Sequence, residues 1–216
     1  MQREQQEDFY EQTGMGRSTM SCRQMVQNRK INKNHTRPKP QHSFVVEKSA
    51  DIFEAAQGAV AGKEYGTSIM IPHVCNNVNA FGAGFASAVA KKYYEVKANF
   101  HLLGRSAKMG QVQYVTVYTE PKYQYKIIFA NMIAQNRIYH PENNLRPLNY
   151  AALTYCMMDV KMTIKKMMYN EDQTKFKIFA PKFGSGLAGG NWDFIADLID
   201  DCWSEFGVSV YLNKKE

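Results

Sequence analysis

No run of apolar residues in this chain approaches the roughly 18 that a membrane-crossing helix needs. The opening MQREQQEDFYEQ has no apolar stretch of the kind a secretory signal requires. The expectation is a cytoplasmic protein with no membrane partner. Cysteine is sparse: Cys22, Cys75, Cys156 and Cys202 lie far apart with no CxxC pair, so neither a zinc cluster nor a disulfide framework is indicated, and reduced thiols are expected. No grouping of metal-ligating residues stands out, which predicts metal-independent chemistry without a cofactor. Acidic residues are missing from 13 to 43, a stretch that holds Arg17, Arg23, Arg29, Lys30, Lys33, Arg37 and Lys39.

That last absence localises the charge. The chain carries a formal net charge of +7, and much of it sits in residues 1–43, which are rich in Gln, Asn, Arg and Lys. No sustained apolar period runs through this segment, so burial there does not offset the entropy of ordering it, and a disordered basic extension is expected. Such an arm is either a solvated tail or a tether for nucleic acid or another acidic partner, held by neutralisation of phosphate charge.

What is present from residue 44 onward is a globular texture. The 216 residues are 44% apolar and 12% aromatic with both charge signs represented, enough for one ordinary core plus an appendage and consistent with a monomer. FVVE (44–47) reads as a strand, DIFEAAQGAV (51–60) as a short helix and SIMIPHV (68–74) as a buried strand. A helix is expected from Ala83 to about Val96, with Phe85, Ala88 and Val89 on one face. QVQYVTVYT (111–119) alternates like a half-buried strand, and YKIIFANMI (125–133) is continuous enough to be buried on both faces. Residues 146–170 read as a long helix in which Leu148, Ala152, Tyr155, Met158 or Asp159, and Met162 recur at helical spacing, a Met stripe expected to pack in the core. A strand from Phe176, a helix over WDFIADLIDDCWSEF and a last strand VSVYL (208–212) complete an α/β domain over 44–216 with a largely parallel or mixed sheet.

Two stretches repeat one device, a buried strand running into a glycine-rich turn that opens a helix. They are HVCNNVNAFGAG and KFGSGLAGGNW. Glycines let backbone approach a ligand closely, and unpaired amides at a helix start favour an anion, phosphate above all. Neither stretch is a Walker sequence or a GxGxxG. Two such loops at the carboxyl ends of strands in one sheet suit a diphosphate between them.

This order of parts resembles the macro domain, the ADP-ribose-binding module, and in particular its branch of ADP-ribose-1''-phosphate phosphatases and terminal ADP-ribose glycohydrolases. The resemblance runs from about Phe44 to Leu212 and implies a three-layer α/β/α fold with a central mixed sheet. ADIF (50–53) resembles the family's GDIF, which assigns Asp51 to the adenine amino group with the Ile52 backbone beside it. IPHVCN with Gly82, Ala83 and Gly84 resembles the strand and loop around the distal ribose, placing Asn76 on that sugar and His73 on the scissile phosphate. FGSGLAGGNW resembles the second phosphate loop, implying contacts from Phe183, Gly184, Ser185, Gly186, Leu187, Ala188 and Gly189. The implied activity is hydrolysis of ADP-ribose-1''-phosphate to ADP-ribose and phosphate, with His73 and Asn76 as the catalytic pair.

Two departures stand beside it. The glycohydrolases use a lysine on the strand before the long helix and an Asp after the second loop, and here those positions hold Gln135 and Ala188. A lysine-based covalent route is therefore not expected. Removal of ADP-ribose from protein or nucleic acid by water, and plain reading of ADP-ribose, stay open beside the phosphatase. Each site residue also has a structural role open to it. His73 ends an apolar strand, Asn76, Asn77 and Asn79 are turn formers, Asp51 precedes a helix as an N-cap would, and Phe81 and Phe183, placed beside the loops to cover the diphosphate or ribose, are also where packing residues sit. Asn131 and Gln135 need polar partners at the end of a buried strand, where a ligand ribose would serve. Tyr211 is placed to stack on adenine.

Overall fold

The computed structural model describes residues 45–61, 67–140, 142, 145–170 and 175–212. The expected basic arm, Phe44 and Cys22 lie outside them. Among the described residues the strands β1 (Val45–Lys48), β2 (Ser68–Asn76), β3 (Val112–Thr119), β4 (Lys126–Gln135), β5 (Phe176–Pro181) and β6 (Val208–Tyr211) form one sheet in the order β1-β6-β5-β2-β4-β3. Every neighbouring pair is parallel except β3, which runs antiparallel to β4 at one edge. The helices α1 (Ile52–Ala61), α2 (Gly84–Lys92), α3 (Tyr94–Leu103), α4 (Tyr150–Asn170) and α5 (Trp192–Trp203) cover the two faces.

Side-chain alternation along β4 shows how the layers are made. Ile128, Ala130, Met132 and Ala134 point to the face covered by α4 and α5, where they join Leu153, Met157, Ile195 and Trp203. Ile127, Phe129 and Ile133 point to the other face and join Phe53 of α1, Val89 of α2 and Phe100 of α3. A strand sandwiched in this way has no solvent face, which is why residues 127–133, IIFANMI, are apolar but for Asn131 instead of alternating. The architecture is the three-layer α/β/α arrangement with a mixed sheet. No helix among the described residues is long and apolar enough to cross a membrane, and Cys75, Cys156 and Cys202 are buried free thiols.

Two expected helices differ in detail. The segment expected as one helix from Ala83 to Val96 is two, broken at Tyr93, whose φ of −135° and ψ of 76° are not helical. The break lets Tyr93 turn inward, where its ring packs 5.7 Å from Phe53 and 5.3 Å from Phe129 and its hydroxyl accepts from Gln57 Nε2 at 3.3 Å. The long helix starts at Tyr150 instead of Arg146, because Asn149 caps it by accepting from the Ala152 amide at 2.9 Å.

The Met stripe on α4 also needs correction. Tyr155, Met158 and Met162 are 71%, 44% and 60% exposed, while the buried face consists of Ala152, Leu153, Cys156, Met157, Val160 and Ile164. Both sets have helical spacing, so periodicity alone did not say which faced the sheet. Asp159, between the two, receives a hydrogen bond from the Tyr114 hydroxyl of β3.

Candidate functional site

The site begins where β2 and β4 end together. Asn76 and Gln135 are register partners across a bulge at Cys75 and Asn76, and the Asn77 amide donates to the Gln135 carbonyl at 3.0 Å. The Asn76 side chain shapes the turn that follows. Its Oδ1 accepts from the amides of Val78 and Ala80 at 3.1 and 3.0 Å, and its Nδ2 donates to the Ala80 carbonyl at 2.6 Å. A short polar side chain satisfying backbone in this manner is an Asx turn. Asn77 ties the turn to the β4 end, donating to Asn136 Oδ1 at 3.1 Å and accepting from the Arg137 amide at 2.8 Å.

That turn delivers the chain to the start of α2, which has no side-chain cap: Ala83 occupies the capping position and Gly84 enters the helix with φ +54°. The first amides of a helix have no intrahelical acceptor and carry the positive end of its dipole. α5 provides the contrast, since Asn191 Oδ1 accepts from the Phe194 amide at 3.1 Å there. One glycine-rich helix start is thus satisfied from within and the other is left for something else.

The second loop, 182–191, is folded back on the core. Gly190 has no room for a side chain, because a Cβ would lie 2.4 Å from Leu148 Cδ2 and 2.7 Å from the Gly184 carbonyl. Its own amide donates to that carbonyl at 2.8 Å, and the Gly189 amide donates to Gly186 at 2.8 Å. Ala188 is buried, with its carbonyl accepting from the Leu148 amide at 3.0 Å. Leu187 is 56% exposed and reaches toward Gly84, whose ideal Cβ position lies 4.0 Å from Leu187 Cδ1. The tips of the two loops therefore approach each other.

His73 lies beneath them, 1% exposed. Its Nε2 is 2.6 Å from Asn131 Oδ1, Asn131 Nδ2 donates to Gln113 Oε1 at 2.9 Å, and Gln113 Nε2 donates to the Asn99 carbonyl at 2.8 Å. The terminal carbonyl can only accept, so every amide in the chain is oriented and Nε2 must carry the proton. Nδ1 faces the Cys75 sulfur at 3.7 Å. Burial lowers the imidazole pKa to about 4 against an opposing push from Asn131, and burial drives the Cys75 thiol up. Both groups are neutral at pH 7, and three aromatic rings, Phe81, Phe85 and Phe129, meet the imidazole at steep angles.

These pieces enclose a cavity of about 690 Å³ at the carboxyl end of the sheet. Of the residues expected from sequence, His73, Asn76, Phe81, Gly82, Ala83, Gly84, Gln135, Phe183, Gly184, Gly186, Leu187 and Ala188 line it, as does Tyr211. Asp51, Ile52, Ser185 and Gly189 are not among the lining residues. Asp51 caps α1, its Oδ1 accepting from the Phe53 and Glu54 amides at 2.8 and 2.9 Å; Ile52 is buried against the helical layer. Phe81 and Phe183 are both 5% exposed and packed, on Phe100 and on Trp203. Sequence reasoning missed Ile138 and Tyr139, about half exposed on the loop after β4, and Lys182. An apolar pair just past a buried strand, and a lysine abutting a glycine loop, were the available signals. Among the described residues no three His, Cys, Asp or Glu side chains gather as a metal site.

No protein-family model matches the chain. A protein of unknown function from Bacteroides thetaiotaomicron superposes with a TM-score of 0.61 at 25% identity, covering 78% of this chain and 98% of that one. A macrodomain protein from Streptomyces coelicolor superposes at 0.54 with 24% identity, covering 80% and 99%. The macrodomain of Mycobacterium tuberculosis DarG reaches 0.56 at 15% identity, covering 79% and 98%. The chain has the macro-domain fold. By sequence, an uncharacterised 17.5 kDa protein of Enterobacteria phage T4 is 24% identical over 141 residues, 65% of this chain and 83% of the phage protein.

Proposed function

We propose that the cavity binds ADP-ribose, with the diphosphate between the start of α2 and the second glycine loop. The observation that carries this reading is the uncapped α2 terminus facing a second backbone-rich loop across a cavity whose described lining residues include no Asp or Glu. Amides and a helix dipole favour an anion there, and absent carboxylates remove the repulsion that would oppose it. The remaining lining is mostly apolar and aromatic, as nucleotide pockets commonly are. DarTG of Thermosipho africanus, solved in complex with ADP-ribose, superposes with a TM-score of 0.52 at 15% identity, covering 80% of this chain and 54% of that one, and supports the same ligand class. Asp51 is proposed to select adenine through whatever its capping role leaves available, and Asn76 to set the loop beside the distal ribose.

The finer reading is hydrolysis of ADP-ribose-1''-phosphate, supported by the resemblance of IPHVCN and FGAG to the phosphatase-like branch. Water would add to the terminal phosphorus as the bond to the sugar oxygen breaks, giving ADP-ribose and inorganic phosphate. A neutral, buried His73 with its Nε2 proton committed to Asn131 is unsuited to attack phosphorus or to donate a proton at pH 7. In this reading it is a positioning residue that holds the floor of the site. Incubation with ADP-ribose-1''-phosphate and with an ADP-ribosylated protein, following phosphate and free ADP-ribose, tests the reaction. Phosphate release supports the phosphatase; ADP-ribose binding without either product leaves recognition as the function.

A further inference from the structure

Among its described lining residues the cavity is almost without charge. Lys182 is the one ammonium or guanidinium there, none of these residues is Asp or Glu, and His73 is neutral at pH 7. Lys182 directly follows β5 and opens the second glycine loop. Its Nζ lies 3.9 Å from Glu47 Oε1, with the two side chains 42% and 47% exposed, and 5.0 Å from the Trp192 ring centroid. An exposed ion pair at that separation is weak, so little holds the ammonium to Glu47 if a better anion arrives. Backbone amides supply oriented dipoles but no net charge, and a diphosphate entering a cavity of low polarity needs a counter-charge. A lysine has the flexible stem to supply one.

We propose that Lys182 is a specificity-determining residue that exchanges Glu47 for a ligand phosphate, so that the cavity discriminates phosphorylated nucleotides from uncharged nucleosides. Glu47 is then a competitor that sets the affinity of the empty site. This inference rests on the reading of the ligand as a diphosphate, and the test separates the two.

Calorimetric titrations of the full chain and of its Lys182→Gln and Glu47→Gln variants use ADP-ribose, inorganic diphosphate and adenosine, at two salt concentrations. Lys182→Gln is expected to weaken ADP-ribose about tenfold and to flatten the salt dependence, with adenosine affinity and melting temperature unchanged. Glu47→Gln is expected to tighten ADP-ribose, an effect that a purely structural ion pair would not produce. Equal ADP-ribose affinity in the wild type and Lys182→Gln overturns the inference while the ligand reading stands. Lys182-dependent binding of diphosphate without binding of ADP-ribose supports the inference and overturns the ligand reading. If neither ligand binds the wild type, both fall.

Discussion

His73 Nε2 lies 2.6 Å from Asn131 Oδ1, on adjacent parallel strands where the two residues are register partners. Because Asn131 is itself oriented through Gln113 to a backbone carbonyl, the bond fixes the imidazole in its Nε2-protonated form. Protonating Nδ1 as well would place a cation among three aromatic rings and a thiol with no counter-charge, so the ring resists it.

A pH dependence of stability follows. The native pKa of about 4 lies below the ordinary 6.5, so as pH falls through that window the unfolded chain takes up a proton that the native state refuses. Stability is unaffected by this group above pH 6.5, declines between 6.5 and 4, and stops declining below 4. The loss is about 3 kcal/mol. Urea unfolding of the wild type and of His73→Gln across that range should show the difference between them shrinking as pH falls. A constant difference would mean that His73 titrates normally.

The second loop should tolerate no side chain at Gly190. Gly190→Ala drives a Cβ into Leu148 and the Gly184 carbonyl, and overpacking of this kind costs about 1–3 kcal/mol. Gly82→Ala, with nothing within 4 Å of its new methyl, should melt within a degree or two of the wild type. Thermal unfolding of the pair distinguishes a loop packed on the core from one that merely crosses it.

Asn76→Ala removes the three hydrogen bonds that shape the turn into α2. The expected effect is a stability loss of about 1–3 kcal/mol with a larger proportional loss of ADP-ribose affinity, read by thermal shift with and without ligand. Asn76→Asp keeps the Oδ1 acceptor but adds a carboxylate to the cavity lining, so it should recover part of the stability and none of the affinity.

The two faces of α4 give a fourth test. Met157 is fully buried and Met162 is 60% exposed, so Met157→Ala should cost about 2–5 kcal/mol. Met162→Glu should fall within about 0.5 kcal/mol of the wild type.

The sequence made the sheet legible because its central strands are buried on both faces and so read as largely apolar runs without alternation, as SIMIPHV and YKIIFANMI do. The glycine loops were legible because strand, glycine and helix start occur in one order twice. The kink at Tyr93 was not, since an aromatic at helical spacing reads the same whether the helix continues or turns to bury it. The exposed Tyr155–Met162 face was misread for a related reason: two stripes on one helix shared a period, and only the sheet decides between them. Lys182 escaped notice because a lone lysine is ordinary until the described lining around it proves to hold no other charged side chain. The site's polar floor, His73 through Asn131 and Gln113 to α3, joins residues 73, 131, 113 and 99, and no local pattern brings those positions together.

The most direct test of the account is titration of the full chain with ADP-ribose at neutral pH. Saturable one-to-one binding that weakens as salt rises is the predicted result. Absence of any ADP-ribose binding, by a chain shown by its thermal unfolding to be folded, would contradict it.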